Sequence, residues 1–167
     1  MYKNELYIRH IIEPHLGIPE QGRIRQYGVG TGRTLRYLHS QYGDRVEGFD
    51  LEAQPHTREF DLEQWQSLPQ EPLAFVDIDV GEFATHWQLR LALLRHSAPD
   101  LVPGGIIMAN SPLRADGVWQ EQGHDWMIQQ GFECYRFTRH RHEQWYQDQC
   151  ALYQWNPASW CAYRRPR

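Results

Sequence analysis

A chain of 167 residues with net charge −4, 41% hydrophobic and 23% charged residues has the size and composition of one folded domain (1–167), which excludes a disordered acidic tail or a low-complexity scaffold. No run approaches the ~18 apolar residues of a membrane-spanning helix, and the start MYKNELYIRH lacks an apolar signal core, so a soluble cytoplasmic protein is expected. Three cysteines, Cys134, Cys150 and Cys161, with no CxxC pair, argue against a disulfide framework and against a zinc site of the usual spacing.

In chain order, Glu5 to Glu13 reads as a short amphipathic helix, with Leu6, Ile8, Ile11 and Ile12 apolar and Pro14 as its stop. A Gly- and Pro-punctuated connector (Gly17 to Gly22) leads to a strand at Arg23 to Tyr27, which runs into the loop Gly28-Val29-Gly30-Thr31-Gly32. A helix follows over Thr31 to Tyr42. Strands are then predicted at Arg45 to Phe49, His56 to Phe60 and Leu73 to Ile78, the last apolar enough to be buried on both faces. Phe83 to Arg95 has helical spacing of Phe83, Trp87, Leu91 and Leu94. Pro103-Gly104-Gly105 reads as a turn before a strand at Ile106 to Ala109. Ala115 to Gln130 reads as a helix closed by Gly131, and Phe132 to Thr138 with Cys150 to Trp155 as a closing antiparallel hairpin.

Strands alternating with helices imply a seven-stranded, mainly parallel α/β sheet with helices on both faces and an antiparallel C-terminal hairpin. In such sheets ligands sit beyond the carboxyl ends of the strands, where strand order reverses. Gly28 to Gly32, Asp50, Asp61, and Asp77 or Asp79 should therefore share one cleft. A GxGxG loop alone is a common turn. It gains weight from Asp50, which follows Gly28 by 22 residues, the distance at which a strand-end acid reaches a ribose. Asp61 could read an adenine amino group while Leu51 or Leu62 packs on the ring, or it could simply cap the helix beginning DLEQW.

QYGVGTG, GFDLE, FDLEQWQSLP, LAFVDIDV and LVPGGIIMANS, in this order and spacing, resemble the successive signature segments of class I Rossmann-like S-adenosylmethionine-dependent methyltransferases. The resemblance covers Arg23 to Ser111 and implies S-adenosyl-L-methionine as cofactor. It places the methionyl end on Gly28, Val29, Gly30 and Gly32, the ribose on Asp50, and adenine on Asp61 with Leu51 and Leu62. Two departures stand out. The family carries an acid just before its glycine loop, where this chain has Gln26, and the amide supplies no charge to an ammonium group. The N-terminal helix is brief and no lid insertion is visible, so a homodimer partner is expected to close the pocket.

The base that methyl transfer to an ionisable acceptor needs would come from Asp77, Asp79 or His86, with Glu82 nearby. VDID followed by AN also resembles the magnesium places of catechol- and sugar-O-methyltransferase-like enzymes, at Asp77 and Asn110. Ala109 occupies the place of a further acid, which leaves too few oxygen ligands for a hard cation, and no metal is expected. His140 and His142 lack a third ligand and read as surface residues.

Six arginines against Glu143 and Asp148 from Arg136 onward make a local +4 and leave −8 elsewhere. An acidic body argues against nucleic acid as partner, and Arg164-Arg165-Pro166-Arg167 reads as a solvated tail. The expected function is transfer of a methyl group to oxygen or nitrogen of a small molecule. Alternatives are an RNA or protein methyltransferase guided by the basic end, or a non-catalytic cofactor-binding subunit or sensor. A nicotinamide dehydrogenase fits less well, because in GVGTGR the third glycine comes one place early.

Overall fold

The computed structural model describes residues 3–80, 87–110, 119–137 and 160–167. Seven strands form one sheet in the order β3-β2-β1-β4-β5-β7-β6. They are β1 (Arg23–Tyr27), β2 (Val46–Asp50), β3 (Thr57–Glu59), β4 (Leu73–Ile78), β5 (Leu101–Asn110), β6 (Glu133–Phe137) and β7 (Trp160–Arg164). Pairing is parallel from β3 through β5, and β7 runs antiparallel to both β5 and β6. The order reverses between β1 and β4, so a crevice opens above those two strands.

The helices cover both faces because alternate strand residues are apolar on each. On one face, helix α1 (Lys3–Tyr7), its π-helical continuation (Ile8–Leu16) and α2 (Arg33–Tyr42) pack Ile8, Ile12, Leu35 and Leu38 against Ile24, Phe75, Ile106 and Met108. On the other, α3 (Trp87–Ser97) and α4 (Trp126–Gln129), the latter continuing a π-helical stretch (Trp119–Asp125), set Leu91, Leu94 and Met127 against Tyr27, Val76, Ile78, Ile107 and Tyr163. All these side chains are buried, at ~1.5–3 kcal/mol of transfer free energy for each large aliphatic.

Four sequence expectations are corrected. Pro14 does not stop the first helix, which runs to Leu16 and ends at Gly17. The wider π turn accommodates a residue that has no N–H and whose ring would strike the carbonyl four residues back. Pro103-Gly104-Gly105 lies inside β5 rather than before it. β4 steps from Leu73 to Phe75 while β5 steps from Leu101 to Ile106, so the extra residues bulge out, as glycine allows. The strand completing the hairpin is Trp160–Arg164. Its Cys161, Ala162 and Tyr163 are buried between two strands, and Cys150 to Trp155 lies outside the described residues.

The C-terminal arginines, finally, are more than a solvated tail: Arg165 and Arg167 are exposed, yet bonded to the fold. Arg164 Nη2 pairs with Glu133 Oε2 at 2.8 Å. Arg165 Nη1 donates to the carbonyls of Leu101 at 2.7 Å and Pro99 at 3.3 Å, and Arg167 donates to that of Leu16 at 3.2 Å. Backbone carbonyls left over at the strand and helix ends need donors, and guanidinium groups provide several in a fork.

Smaller differences lie at element ends. α2 begins at Arg33, two residues later than expected, because Gly32 stands before it in the left-handed region. The third strand shrinks to Thr57–Glu59. Phe83 and the start of the helix at Ala115 lie outside the described residues. Among the described residues, no helix is long and apolar enough to cross a membrane.

Candidate active site at the strand-order reversal

The loop after β1 carries the chain from sheet to α2 through three left-handed glycines, with φ of 82° at Gly28, 55° at Gly30 and 81° at Gly32. Gly28 is fixed twice over. Its conformation is one that L side chains rarely adopt, and a Cβ there would stand 2.3 Å from the carbonyl oxygen of Asp79. Above Gly30 a Cβ would meet nothing within 4 Å, so this glycine leaves open space over the loop. Val29 turns inward and is buried. Its pocket exists because β2 has Gly48, where a Cβ would lie 2.6 Å from Val29 Cγ2 and 2.7 Å from Leu35 Cδ2. Gly48 escaped the sequence reading because a single glycine inside a strand carries no signal of what packs across it.

Asp50, at the end of β2, binds this loop directly. Its Oδ2 accepts from the backbone N–H groups of Val29 at 2.7 Å and Gly30 at 3.0 Å, and its Oδ1 accepts from that of Leu51 at 2.7 Å. The carboxylate therefore stands against the glycine loop as expected and stiffens it. Three of its roughly four acceptor positions are taken by the chain, and one remains on Oδ1. Asp61 does act as a cap, accepting from the N–H of Glu63 at 3.0 Å, and it also lines the cleft.

That cleft has a volume of about 390 Å³. Gly28 and Gly30 form its floor. Asp50, Asp61, Glu63 and Asp79 bring carboxylates, and Leu51, Phe60, Leu62, Val80 and Leu89 supply apolar walls. Leu51 is 66% exposed, a large apolar side chain held in water at the cleft mouth. No basic residue lines it among the described residues, so the cleft carries a negative potential suited to a cationic ligand and unsuited to a pyrophosphate. Of the expected cofactor-binding set, Gly28, Gly30, Asp50, Leu51, Asp61 and Leu62 meet here. Val29 and Gly32 shape the loop from beneath. Phe60 and Val80, beyond the ends of β3 and β4, and Glu63 and Leu89, on helical turns, were missed, since nothing in sequence says which side chains there turn to the cleft.

The two strand-end acids of β4 part company. Asp79 is exposed and lines the cleft. Asp77 is fully buried on the α1 face, opposite Gln26 of β1 in the parallel register. Asn4 Nδ2, from α1, donates to both of its oxygens at 3.0 Å, and Gln26 Nε2 donates to Oδ2 at 3.1 Å. Burial, and then the charge of Asp79, raise the Asp77 carboxyl to about 8, against the opposing pull of the Asn4 and Gln26 amides. Asp77 thus does not open into the cleft as a base or a metal ligand. Asn4 was missed because a polar residue at a helix start reads as a cap. Among the described residues there is no group of three or more His, Cys, Asp or Glu side chains able to hold a metal. Glu82, His86, His140 and His142 lie outside the described residues.

No protein-family model matches the chain, and no curated protein sequence matches it significantly. Solved structures do. A Haemonchus contortus phosphoethanolamine N-methyltransferase in complex with S-adenosylhomocysteine is similar over 99% of this chain, at 16% identity and TM-score 0.57, with this chain spanning 53% of that one. An S-adenosylmethionine-dependent methyltransferase from Mesorhizobium loti is similar over 89% of this chain and 94% of its own, at 18% identity and TM-score 0.54. An rRNA methylase from Streptococcus thermophilus is similar over 100% and 99%, at 15% identity and TM-score 0.58. The fold is the class I, Rossmann-like methyltransferase fold.

Proposed function

We propose that this chain is an S-adenosyl-L-methionine-dependent methyltransferase acting on oxygen or nitrogen of a small molecule. The observation that carries the reading is the cleft itself: an open glycine loop, four carboxylates, apolar walls and no lining cation among the described residues, at the strand-order reversal of this fold. A sulfonium ligand is cationic, and the flat faces of its adenine suit apolar walls. A dinucleotide would bring a pyrophosphate into the same acidic mouth, which speaks against the dehydrogenase reading.

The chain's own groups divide the work by position. Asp50 holds the ribose through Oδ1 while keeping the loop amides on Oδ2. Leu51 or Leu62 would pack on the adenine ring, and Asp61 would accept from its amino group. Bound, the cofactor supplies an electrophilic methyl group on sulfur. Asp79, just beyond β4, lines the same cleft and would take the proton that an acceptor O–H or N–H must lose. Alignment of acceptor and methyl group by the cleft walls contributes several kcal/mol to such a displacement.

A small acceptor is supported by the modest cleft and by the engagement of Arg164, Arg165 and Arg167 within the fold. An RNA substrate would instead make binding steeply salt-dependent. Titration calorimetry with S-adenosylmethionine and S-adenosylhomocysteine tests the reading. Micromolar binding is expected, weakened about 10- to 100-fold in Asp50→Ala, as for loss of a charge-assisted hydrogen bond. Absence of heat with both compounds would sink it.

A further inference from the structure

The connection between β2 and β3 holds the glycine loop in a way that the proposed function leaves unused. Gly30 has no side chain to anchor it and open space above it, and glycine loses more conformational freedom on ordering than any other residue. Both of its backbone polar groups are nevertheless held. Its N–H donates to Asp50 Oδ2 at 3.0 Å, and its carbonyl accepts from Gln54 Nε2 at 2.7 Å. A Cβ on Gly32 would stand 3.0 Å from Gln54 Oε1, so this second glycine makes room for the amide. Gln54 is not among the cleft's lining residues and reaches the cleft only through Gly30.

Gln54 lies on an irregular segment, so its own position needs an anchor. The N–H of Thr57 donates to the Gln54 carbonyl at 3.0 Å, and the N–H of Gly48 donates to the His56 carbonyl at 2.9 Å. His56 has a φ of 63°, the one non-glycine residue at positive φ among the described residues. Such a backbone persists where surrounding contacts fix it. Here the contact is a ring: His56 stacks face to face on His39 of α2, with centroids 3.5 Å apart and planes 15° from parallel. The segment is thus tied to the glycine loop through Gln54 and, through His56, to the helix that follows that loop.

Resting on the methyltransferase reading, we propose that Gln54 is a positioning residue for the cofactor, fixing the Gly30 carbonyl, and that the stacked His39–His56 pair is its acid-sensitive anchor. Neutral imidazoles stack, whereas two imidazolium rings face to face repel. Histidine ordinarily changes charge between about pH 5 and 8. The charged groups around the pair do not cancel that repulsion. Asp44 Oδ1 lies 3.8 Å from His39 Nε2. Glu47, which lines a shallow groove with His56, is engaged by Arg58 at 2.9 Å and Arg23 at 3.8 Å. Arg36, one turn before His39 on α2, donates to the Thr31 carbonyl. Around the pair, then, stand two acids and three arginines. Acidification should part the rings, free the segment and loosen the hold on Gly30.

The probe is S-adenosylhomocysteine, with calorimetry reading affinity. Gln54→Met keeps the length of the side chain and removes the donor; it should weaken binding about three- to tenfold, as for loss of one neutral hydrogen bond. Wild-type affinity should fall at least about threefold between about pH 7.5 and 5.5. His39→Ala should weaken binding across that range. His39→Phe, which returns a flat ring without a titrating nitrogen, should recover the affinity and lose the acid-dependent fall. Groups that titrate elsewhere, Asp77 among them, are common to wild type and His39→Phe, so the difference between the two profiles belongs to the pair. Parallel profiles for these two proteins, or wild-type affinity in Gln54→Met, would overturn the inference while leaving the methyltransferase reading intact. The two arms use different residues, so unfolding of one variant leaves the other to decide. Failure of the wild type to bind S-adenosylhomocysteine at about pH 7.5 would instead strike that reading.

Discussion

At the carboxyl ends of β1, β2 and β4, acidic side chains gather around a cleft with no cation among its described lining residues. Toward the far edge of the sheet, around β6 and β7, the arginines find partners within the chain: Arg164 pairs with Glu133, Arg165 donates to two carbonyls and Arg167 to a third. Both regions are conspicuous in sequence as clusters of like charge, and the contrast between them is one of partners. Charge satisfied by the chain itself holds elements together. An excess of one sign around an open cavity is energetically useful only when something of the opposite sign arrives.

The largest effect that could break this comparison lies at Gly28. Gly28→Ala forces a left-handed conformation on a side chain that meets the Asp79 backbone, at a cost of roughly 2–5 kcal/mol from conformation and overpacking together. Urea unfolding should show a clear loss of stability, accompanied by loss of ligand binding. An unchanged midpoint would mean that the loop is not locked to β4.

The next effect is a pH dependence from Asp77. Its carboxyl is raised from 3.8 to about 8, so the folded state holds a proton that the unfolded state has released. The stability this gives is fully present below about pH 4 and is lost as pH rises through about 8. Asp77→Asn should flatten that slope. The variant's melting temperature, relative to wild type, should rise between pH 6 and 9, and differential scanning calorimetry across that range checks it. A wild-type profile without this decline would place the acid in a different environment.

The smallest effect sharpens the contrast at the opposite edge. Arg165→Ala removes two hydrogen bonds to carbonyls from an exposed side chain and should cost about 1 kcal/mol of stability. Ligand affinity and its salt dependence should stay unchanged in calorimetry. A selective loss of binding would show that this arginine serves a partner and not the fold.

Much of this could be read before any coordinates. β1 and β4 were placed to the residue, β1 because a glycine loop must follow a strand end and β4 because five of its six residues are apolar. The glycine loop with Asp50 and Asp61 at the ends of the following strands was equally plain, because the backbone turn and the acids obey local rules. The edge was less plain. WCAYR runs straight into the terminal arginines and has no turn signal beside it, and only its insertion between β5 and β6 makes it a strand.

Sequence alone determined which residues could turn tightly, carry charge or fill a core, since those properties belong to individual side chains and their near neighbours. Which of two acids two residues apart faces the cleft, that Asn4 reaches Asp77 across 73 positions, and that the terminal arginines end on buried-strand and helix carbonyls were decided by tertiary packing. Those outcomes depend on what another element brings to the same point, and burial fixes both the protonation of a carboxyl and the need of each polar group for a partner.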